Sequence, residues 1–521
     1  TYDEVGLPLT VTDATGATQT MTYDLAGNLL TRTLANGATL SVAYDSMNRP
    51  IRQVNALGGV TEIEYDLLGR ITRVTDPLGA DTAYTYDKNG NLLTVTDALG
   101  NVTSYAYDAL GRLIFETAPN GGVTRYAYDN TGNLLSIMDA LGGVTRYQYD
   151  ENGNLVAMTD ALGETVSLEY NPNGSATTAI KKNGGVLATG YDKAGRVVSE
   201  TDANGHTTKY SYSRNGLVTK ITDALGQQAS FAYDVLGNLV KITAPGKAIT
   251  LYEYDSAGRV LSMTDPEGCV TEYGYNENSQ IARMTVNGNA TLYEYDAAGN
   301  IAAVTDAEGR RVEFAYDPNG NLTGIVYPDG TKDTTQYDAL GRVLKNTPRT
   351  GLATAYEYDV VGNIVSVTRG EQATRYAYDI LGCMVAVTAP DGTETAYTYD
   401  ALGNLTGETD PLGNVTAFAY TAESLLEKVT YANGTTQSLT YDPAGNVTAE
   451  TDAEGNTKEY QYDKVNRLTA VIDELGNKTS YKYDALDNIA QVTDALKHIT
   501  RYTYDKNGNL LTETDALGNR V

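Results

Sequence analysis

The chain has no tryptophan, four phenylalanines, two cysteines and two histidines among its 521 residues. With only Cys269 and Cys383 available, disulfides cannot build the fold, and regular backbone pairing has to do it instead. No apolar run approaches the roughly 18 residues a spanning helix needs, and no signal peptide or initiator methionine is present. A membrane-spanning segment is therefore not expected. Nor is there a basic stretch: 38 Lys and Arg face 66 Asp and Glu, and the formal charge of −28 is spread evenly. Such a surface repels phosphate backbones and anionic lipid, so nucleic acid is excluded as an expected partner. Helical periodicity is missing over any dozen residues.

What the chain does have is tyrosine, 41 of them, and glycine, 52 of them. Tyrosine recurs every 21 residues from Tyr2 through Tyr23, Tyr44 and Tyr65 to Tyr275, slips by one residue at Tyr295 and again at Tyr378, and runs on to Tyr504. These 25 marked positions demand a repeat architecture, in which length counts units rather than domains. A representative unit reads TAYTYDKNGNLLTVTDALGN from Thr82 to Asn101.

Thr82, Tyr84 and Tyr86 alternate, which places them on one face of a strand, and Leu92 to Thr96 form a second strand of aliphatic and β-branched residues. Between the strands lies DxxGN, and DxxG follows the second. Asp bonds its own downstream amides and Gly takes positive φ, so each unit is a β-hairpin closed by a turn at either end. The repeat markers are Tyr86, Asp87, Gly90 and Asn91, with Tyr107, Asp108, Gly111, Tyr149, Asp150, Gly153, Tyr504, Asp505 and Gly508 at the same places. Gly gives way to Asn48, Ser279, Ser424, Asn466 and Asp487 in five units.

An isolated hairpin is marginal, so consecutive hairpins have to pair edge to edge. The expected fold is all-β: tandem 21-residue hairpins in one long antiparallel sheet, wound by its own twist into a spiral shell or tube. About 50 strands at roughly 4.8 Å make a ribbon on the order of 240 Å, little more than one winding around a lumen of roughly 60 Å.

Catalysis needs a unique constellation, and the polar residues here recur at fixed phase. No catalytic, cofactor or metal site is expected. His206 and His498 each follow a turn, far apart in sequence. The Asp pairs, such as Asp87 with Asp97 and Asp150 with Asp160, offer oxygen ligands of the kind calcium takes, but their spacing fits neither an EF-hand nor a calcium nonapeptide. Capping of their own turns is the preferred reading. The tyrosines suit either glycan stacking or the cross-strand packing that holds a ribbon together, and packing is preferred. Asn171 to Gly185 and Tyr273 to Gly288 break phase and mark either altered curvature or a contact site.

With YDxxGN at Asp87 to Asn91, Asp150 to Asn154 and Asp505 to Asn509, the chain resembles the YD-repeat, or Rhs, proteins. Tyr is followed by Asp at every marked position except those before Asn171, Ser213, Asn276 and Thr421. The resemblance implies a hollow β-shell that, in bacterial polymorphic toxins and insect-pathogen toxin complexes, encloses a variable C-terminal toxic domain; the similar barrel of animal teneurins serves adhesion. The aspartate-dependent self-cleavage plug of bacterial members, DPxGL preceded by Pro, is not matched. DPxG at Asp76, Asp265, Asp317, Asp410 and Asp442 lacks both the Leu and the Pro and falls at repeat turns.

Residues 1–521 are accordingly expected to be one repeat array of about 25 units, without a separate capping, plug or toxin domain. Both ends are as regular as the middle, as in a segment of a longer protein. The expected role is a non-catalytic bacterial shell segment, secreted or at the cell surface, whose partners are an encapsulated polypeptide and other shell segments. The alternative is an adhesion or filament-forming protein that binds glycans or associates head to tail through exposed strand edges.

Overall fold

A computed structural model describes all 521 residues. It contains 49 strands in one antiparallel sheet and a single short 3-10 turn at Pro245–Lys247. Each strand pairs with its neighbours in sequence: Asp81–Tyr86 takes Ile71–Thr75 on one side and Leu92–Thr96 on the other. The second strand thus falls where its β-branched and aliphatic residues place it. In the first, Thr82, Tyr84 and Tyr86 are half-buried while Thr85 is exposed.

Between the paired strands the register shifts: Thr85 faces Thr94, but Tyr86 faces Leu92, so Leu93 is an extra residue. The same bulge sits beside Tyr23, Tyr149, Tyr337 and Tyr504. A bulge bends its strand and increases local twist. Repeated at one place in every hairpin, it bends the ribbon consistently in one direction.

Phase slips at Tyr295 and Tyr378 have a local cause. The usual connection between repeats is five residues long, as in Asp97 to Asn101. Before Tyr295 it is replaced by Asn287 and Gly288 with φ of 49° and 83°, the signature of a type I′ hairpin turn. The flanking strands Ile281–Val286 and Asn289–Tyr295 each gain a residue, which leaves the repeat one residue short. Gly370, at φ 64°, and Glu371 form an equally short two-residue connection before Tyr378, with the same gain of a residue in each flanking strand, but only the glycine has positive φ.

Almost nothing is buried. Ala248, Ala303, Val429 and Ala470, with Asp160, Thr271, Thr285 and Ser366 and the glycines at 59, 122, 185 and 407, are the only residues withdrawn from solvent. The sheet is a single layer without a core, so it depends on cross-strand neighbours and on ties between hairpins. The chief tie is the marker tyrosine. Tyr86 donates its hydroxyl to the Ile71 carbonyl at 2.9 Å, Tyr212 to Val197 at 2.6 Å and Tyr337 to Leu322 at 2.7 Å. Each acceptor opens or nearly opens the second strand of the preceding repeat. Tyr295 and Tyr378, despite the slips, find the equivalent carbonyls of Ile281 and Ile364.

The chain divides into two compact units, each built from stretches far apart in sequence. One holds Thr1–Tyr126, Tyr254–Ser262 and Val270–Thr393; the other holds Ala127–Glu253, Met263–Cys269 and Glu394–Val521. Within each, a later pass of the ribbon lies against an earlier one. This corrects the expectation of little more than one winding: within a unit the later stretch meets turns 238 to 264 residues earlier, about half of the 521-residue chain, so the ribbon returns to its own edge sooner than expected.

Replacing Tyr337 by Phe leaves the Leu322 carbonyl without its hydroxyl donor and should destabilise that repeat by about 1 kcal/mol. Hydrogen exchange should report this as faster exchange confined to the strands around residue 322, with distant repeats unchanged. Uniform exchange across the chain would contradict a local tie.

Candidate functional surface

The turns carry the polar chemistry, and two kinds alternate. Those after the marker tyrosine are called here Tyr turns, and those after the second strand Thr turns. In the Tyr turn at Asp87, the amide of Asp87 donates to the Asn91 carbonyl at 2.9 Å and the Gly90 amide to the Asp87 carbonyl at 3.2 Å. The Asp87 carboxylate accepts the amides of Asn89 and Asn91 through Oδ1, at 2.8 and 2.9 Å, and the Asn91 side chain through Oδ2 at 2.8 Å. Gly90 has φ 95°, a conformation L side chains rarely adopt.

Asp150 binds Asn152 and Asn154 the same way, and Asp505 binds Asn507 and Asn509. At Asp108 the fifth residue is Arg112, whose Nε donates to Oδ2 at 2.7 Å. Gly111, Gly153 and Gly508 also have positive φ. Tyr504 bonds the Ile489 carbonyl at 3.0 Å, burial raises the Tyr107 phenol, and Tyr149 sits beside the bulge opposite Leu155. A carboxylate engaged by three donors has little left for a cation. A marker tyrosine whose hydroxyl is held by a backbone carbonyl is likewise a packing residue before it is a sugar platform.

The fifth turn residue also reaches into the next repeat, which the sequence reading missed. The guanidinium of Arg49 stacks on Tyr65 at 4.6 Å, Arg259 on Tyr275 at 4.5 Å and Arg467 on Tyr483 at 4.4 Å. The signal was present as Arg placed 16 residues before a marker tyrosine. The five units lacking the turn glycine are explained too. Asn48, Ser279, Ser424, Asn466 and Asp487 keep the left-handed conformation at φ 59° to 68°, and each accepts a hydrogen bond from 20 residues earlier. The donors are Asn28, Arg259, Asn404, Asn446 and Arg467. A bond glycine cannot make offsets the cost of the backbone.

Where two passes meet, Thr turns of the earlier pass touch Tyr turns of the later one. In the first unit Asn55 Nδ2 donates to the Pro318 carbonyl at 3.0 Å, Asn319 Nδ2 to Asp76 Oδ2 at 2.6 Å and Asn120 Nδ2 to the Ile380 carbonyl at 3.1 Å. In the second, Asn183 donates to Pro443 and Glu423, Asn204 to Asp442, and Asn507 to Asp265. Partners lie 238 to 264 residues apart. This seam was not legible in the sequence.

His206 stands at the seam, lining a crevice of about 470 Å³ with Glu200, Lys464 and Asn466. Its Nδ1 is 3.4 Å from Asp202 Oδ2 and makes no hydrogen bond. His498 is exposed, with Nδ1 2.9 Å from Asp494 Oδ2. No three His, Cys, Asp or Glu side chains gather as metal ligands would, neither cysteine forms a disulfide, and burial pushes the Cys383 thiol up. The phase-breaking segment from Asn171 to Gly185 supplies Lys182, whose ammonium meets the buried Asp160 at 2.5 Å, and Asn183 at the seam.

Comparison with known proteins now adds a family. The model described as RHS Repeat matches in overlapping copies from residue 2 to 123, 128 to 186, 191 to 291 and 462 to 520, more than half of the chain. The chain belongs to the RHS-repeat family. A second model, Teneurin YD-shell, matches this RHS chain over residues 275–460. Solved structures of TcdB2–TccC3 share its fold. One, a TcdB2–TccC3–TEV protein, has TM-score 0.58 at 16% identity, covering 97% of this chain and 34% of its own; another, lacking a hypervariable C-terminal region, has 0.53 at 17%, covering 96% and 31%. The RHS chain thus spans about a third of the length of these structures. No curated protein matches it by sequence.

Two outcomes follow from the turn geometry. The Asn91 side chain holds Asp87 below the ordinary carboxylate range, and the Thr131 hydroxyl takes the lead in lowering Asp129 to about 2. Folded values below the unfolded 3.8 mean that this stability is complete above it and lost as pH falls from 3.8 towards 2. The melting temperature should therefore drop steeply across that window; a flat profile would contradict the assignment. Added calcium should leave the melting temperature at neutral pH unchanged, since the turn carboxylates are already engaged, and a saturable rise would overturn that reading.

Proposed function

We propose that the chain is a length of non-catalytic container wall, which encloses a polypeptide and delivers it from a bacterium, in secreted form or at the cell surface. The observation that carries this reading is the seam. A ribbon alone is a strip, but a ribbon whose turns bond to those of its next pass becomes a continuous surface.

Other features support it. The wall is one layer thick and its polar groups serve the turns, so repeat residues have structural work and form no catalytic constellation. The fold is that of TcdB2–TccC3, one structure of which is described as lacking a hypervariable C-terminal region. A polypeptide cargo and further shell segments are the partners that fit, and the chain as a whole is one repeat array.

Protease protection of the native gene product tests the proposal. Digestion should leave a polypeptide that co-purifies with the repeats intact while the wall is folded, and should degrade it once the wall is unfolded at pH 2. Equal digestion in both states, or no polypeptide retained, would reject the container reading.

A further inference from the structure

Three Thr turns receive the later pass in the same way. Each has glycine at its fifth place, Gly59, Gly122 and Gly185, and all three glycines are buried. None has positive φ, so the backbone does not call for glycine there. In each turn an asparagine accepts the glycine's own amide through Oδ1 and donates through Nδ2 to a carbonyl of the later pass. Asn55 holds the Gly59 amide at 2.8 Å and the Pro318 carbonyl at 3.0 Å. Asn120 holds Gly122 at 3.0 Å and Ile380 at 3.1 Å, and Asn183 holds Gly185 at 2.9 Å and Pro443 at 3.2 Å. Every one of these carbonyls belongs to the second residue of a Tyr turn, 260 to 263 residues beyond the asparagine.

What glycine provides is room. A Cβ on Gly59 would lie 3.0 Å from the Pro318 oxygen and 3.0 Å from Pro77 Cβ, and one on Gly185 would lie 3.1 Å from the Pro443 oxygen and 3.0 Å from Ala203 Cβ. The incoming turn thus enters the gap between one Thr turn and the next, and at these places only a residue without a side chain leaves the gap open. Turns without glycine fit differently. Counted along the seam from Gly185 and Pro443, the longer Glu164 and Gln227 stand opposite Ala422 and Ala485. Lys464 stands opposite His206, two long side chains, and there the seam widens into the crevice of about 470 Å³.

We propose that the fifth-place glycines are seats that fix the register of the seam, deciding which Tyr turn enters which gap and hence how many repeats separate two touching passes. Bending brings the edges together, but both edges repeat every 21 residues, so bending alone does not distinguish one gap from its neighbour. The seats do. A slip of one repeat would bring Pro318 against Ala38 or Ala80 and Pro443 against Glu164 or His206, which sets side chains where the close approach leaves no space. The inference concerns contacts within each unit and is independent of any cargo.

Bridging of two cysteines across the seam tests it. Asp76→Cys and Asn319→Cys, in a chain carrying Cys269→Ser and Cys383→Ser, report the register of the first unit through their rate of reaction with a short bismaleimide. Gly59→Asn with Gly122→Asn should slow that bridging about tenfold, the effect of overpacking a close contact. Gly185→Asn, a seat of the other unit, should leave it unchanged. Asn101 occupies the same place in another Thr turn of the seam, so the hairpins accept the substitution, and unchanged hydrogen exchange on either side of residue 59 verifies this. If asparagine loosens those hairpins, Gly59→Ala with Gly122→Ala, which adds only the Cβ, has to slow bridging in the same direction. Bridging at the parental rate in a folded double variant, or an equal slowing by Gly185→Asn, would overturn the proposal.

Discussion

A sheet one layer thick has no interior to fold around, so each hairpin has to be closed by its own residues and tied to the next. The turn aspartate does the first. By accepting two backbone amides and a side-chain donor, as Asp87 does, it saturates a tight turn that would otherwise leave polar groups to water. The marker tyrosine does the second, reaching across to a carbonyl of the preceding repeat. Both interactions are local, which is why the pattern tolerates two one-residue slips without losing either.

Curvature follows from the same economy of parts. The bulge beside each marker tyrosine bends the ribbon, and a ribbon bent at every repeat returns to its own edge. There the turns, already rigid, present Asn side chains and carbonyls at fixed spacing. Within each unit the passes are thus joined by hydrogen bonds between turns and by partial covering of aliphatic tips, a polar and shallow joint compared with a buried core.

Much of this was legible in the sequence, because alternation of period two and turn chemistry act within a few residues. Thr82, Tyr84 and Tyr86 announced a strand, and DxxGN announced its turn. The bulge at Leu93 has no marker residue of its own, so the tightness of winding could not be read. Nor could the seam. Asn89 and Asn319 occupy the same place in the motif, yet Asn89 bonds its own turn aspartate while Asn319 also reaches Asp76 in another pass. What separates them is winding, a property of the accumulated bend rather than of any residue. The cross-repeat bonds lie between these limits: loss of glycine at Asn48 or Asp487 was visible, but its partner 20 residues earlier required geometry.

The central claim is that Thr turns of one pass abut Tyr turns of the next. Cysteines introduced at Asp76 and Asn319, in a chain with Cys269 and Cys383 replaced by serine, can be bridged by a short bismaleimide. The account predicts rapid intramolecular cross-linking of the pair at 76 and 319, and none between 76 and a cysteine at Asp329, which lies on the opposite edge of the same hairpin. Cross-linking of both pairs, or of neither, would contradict it.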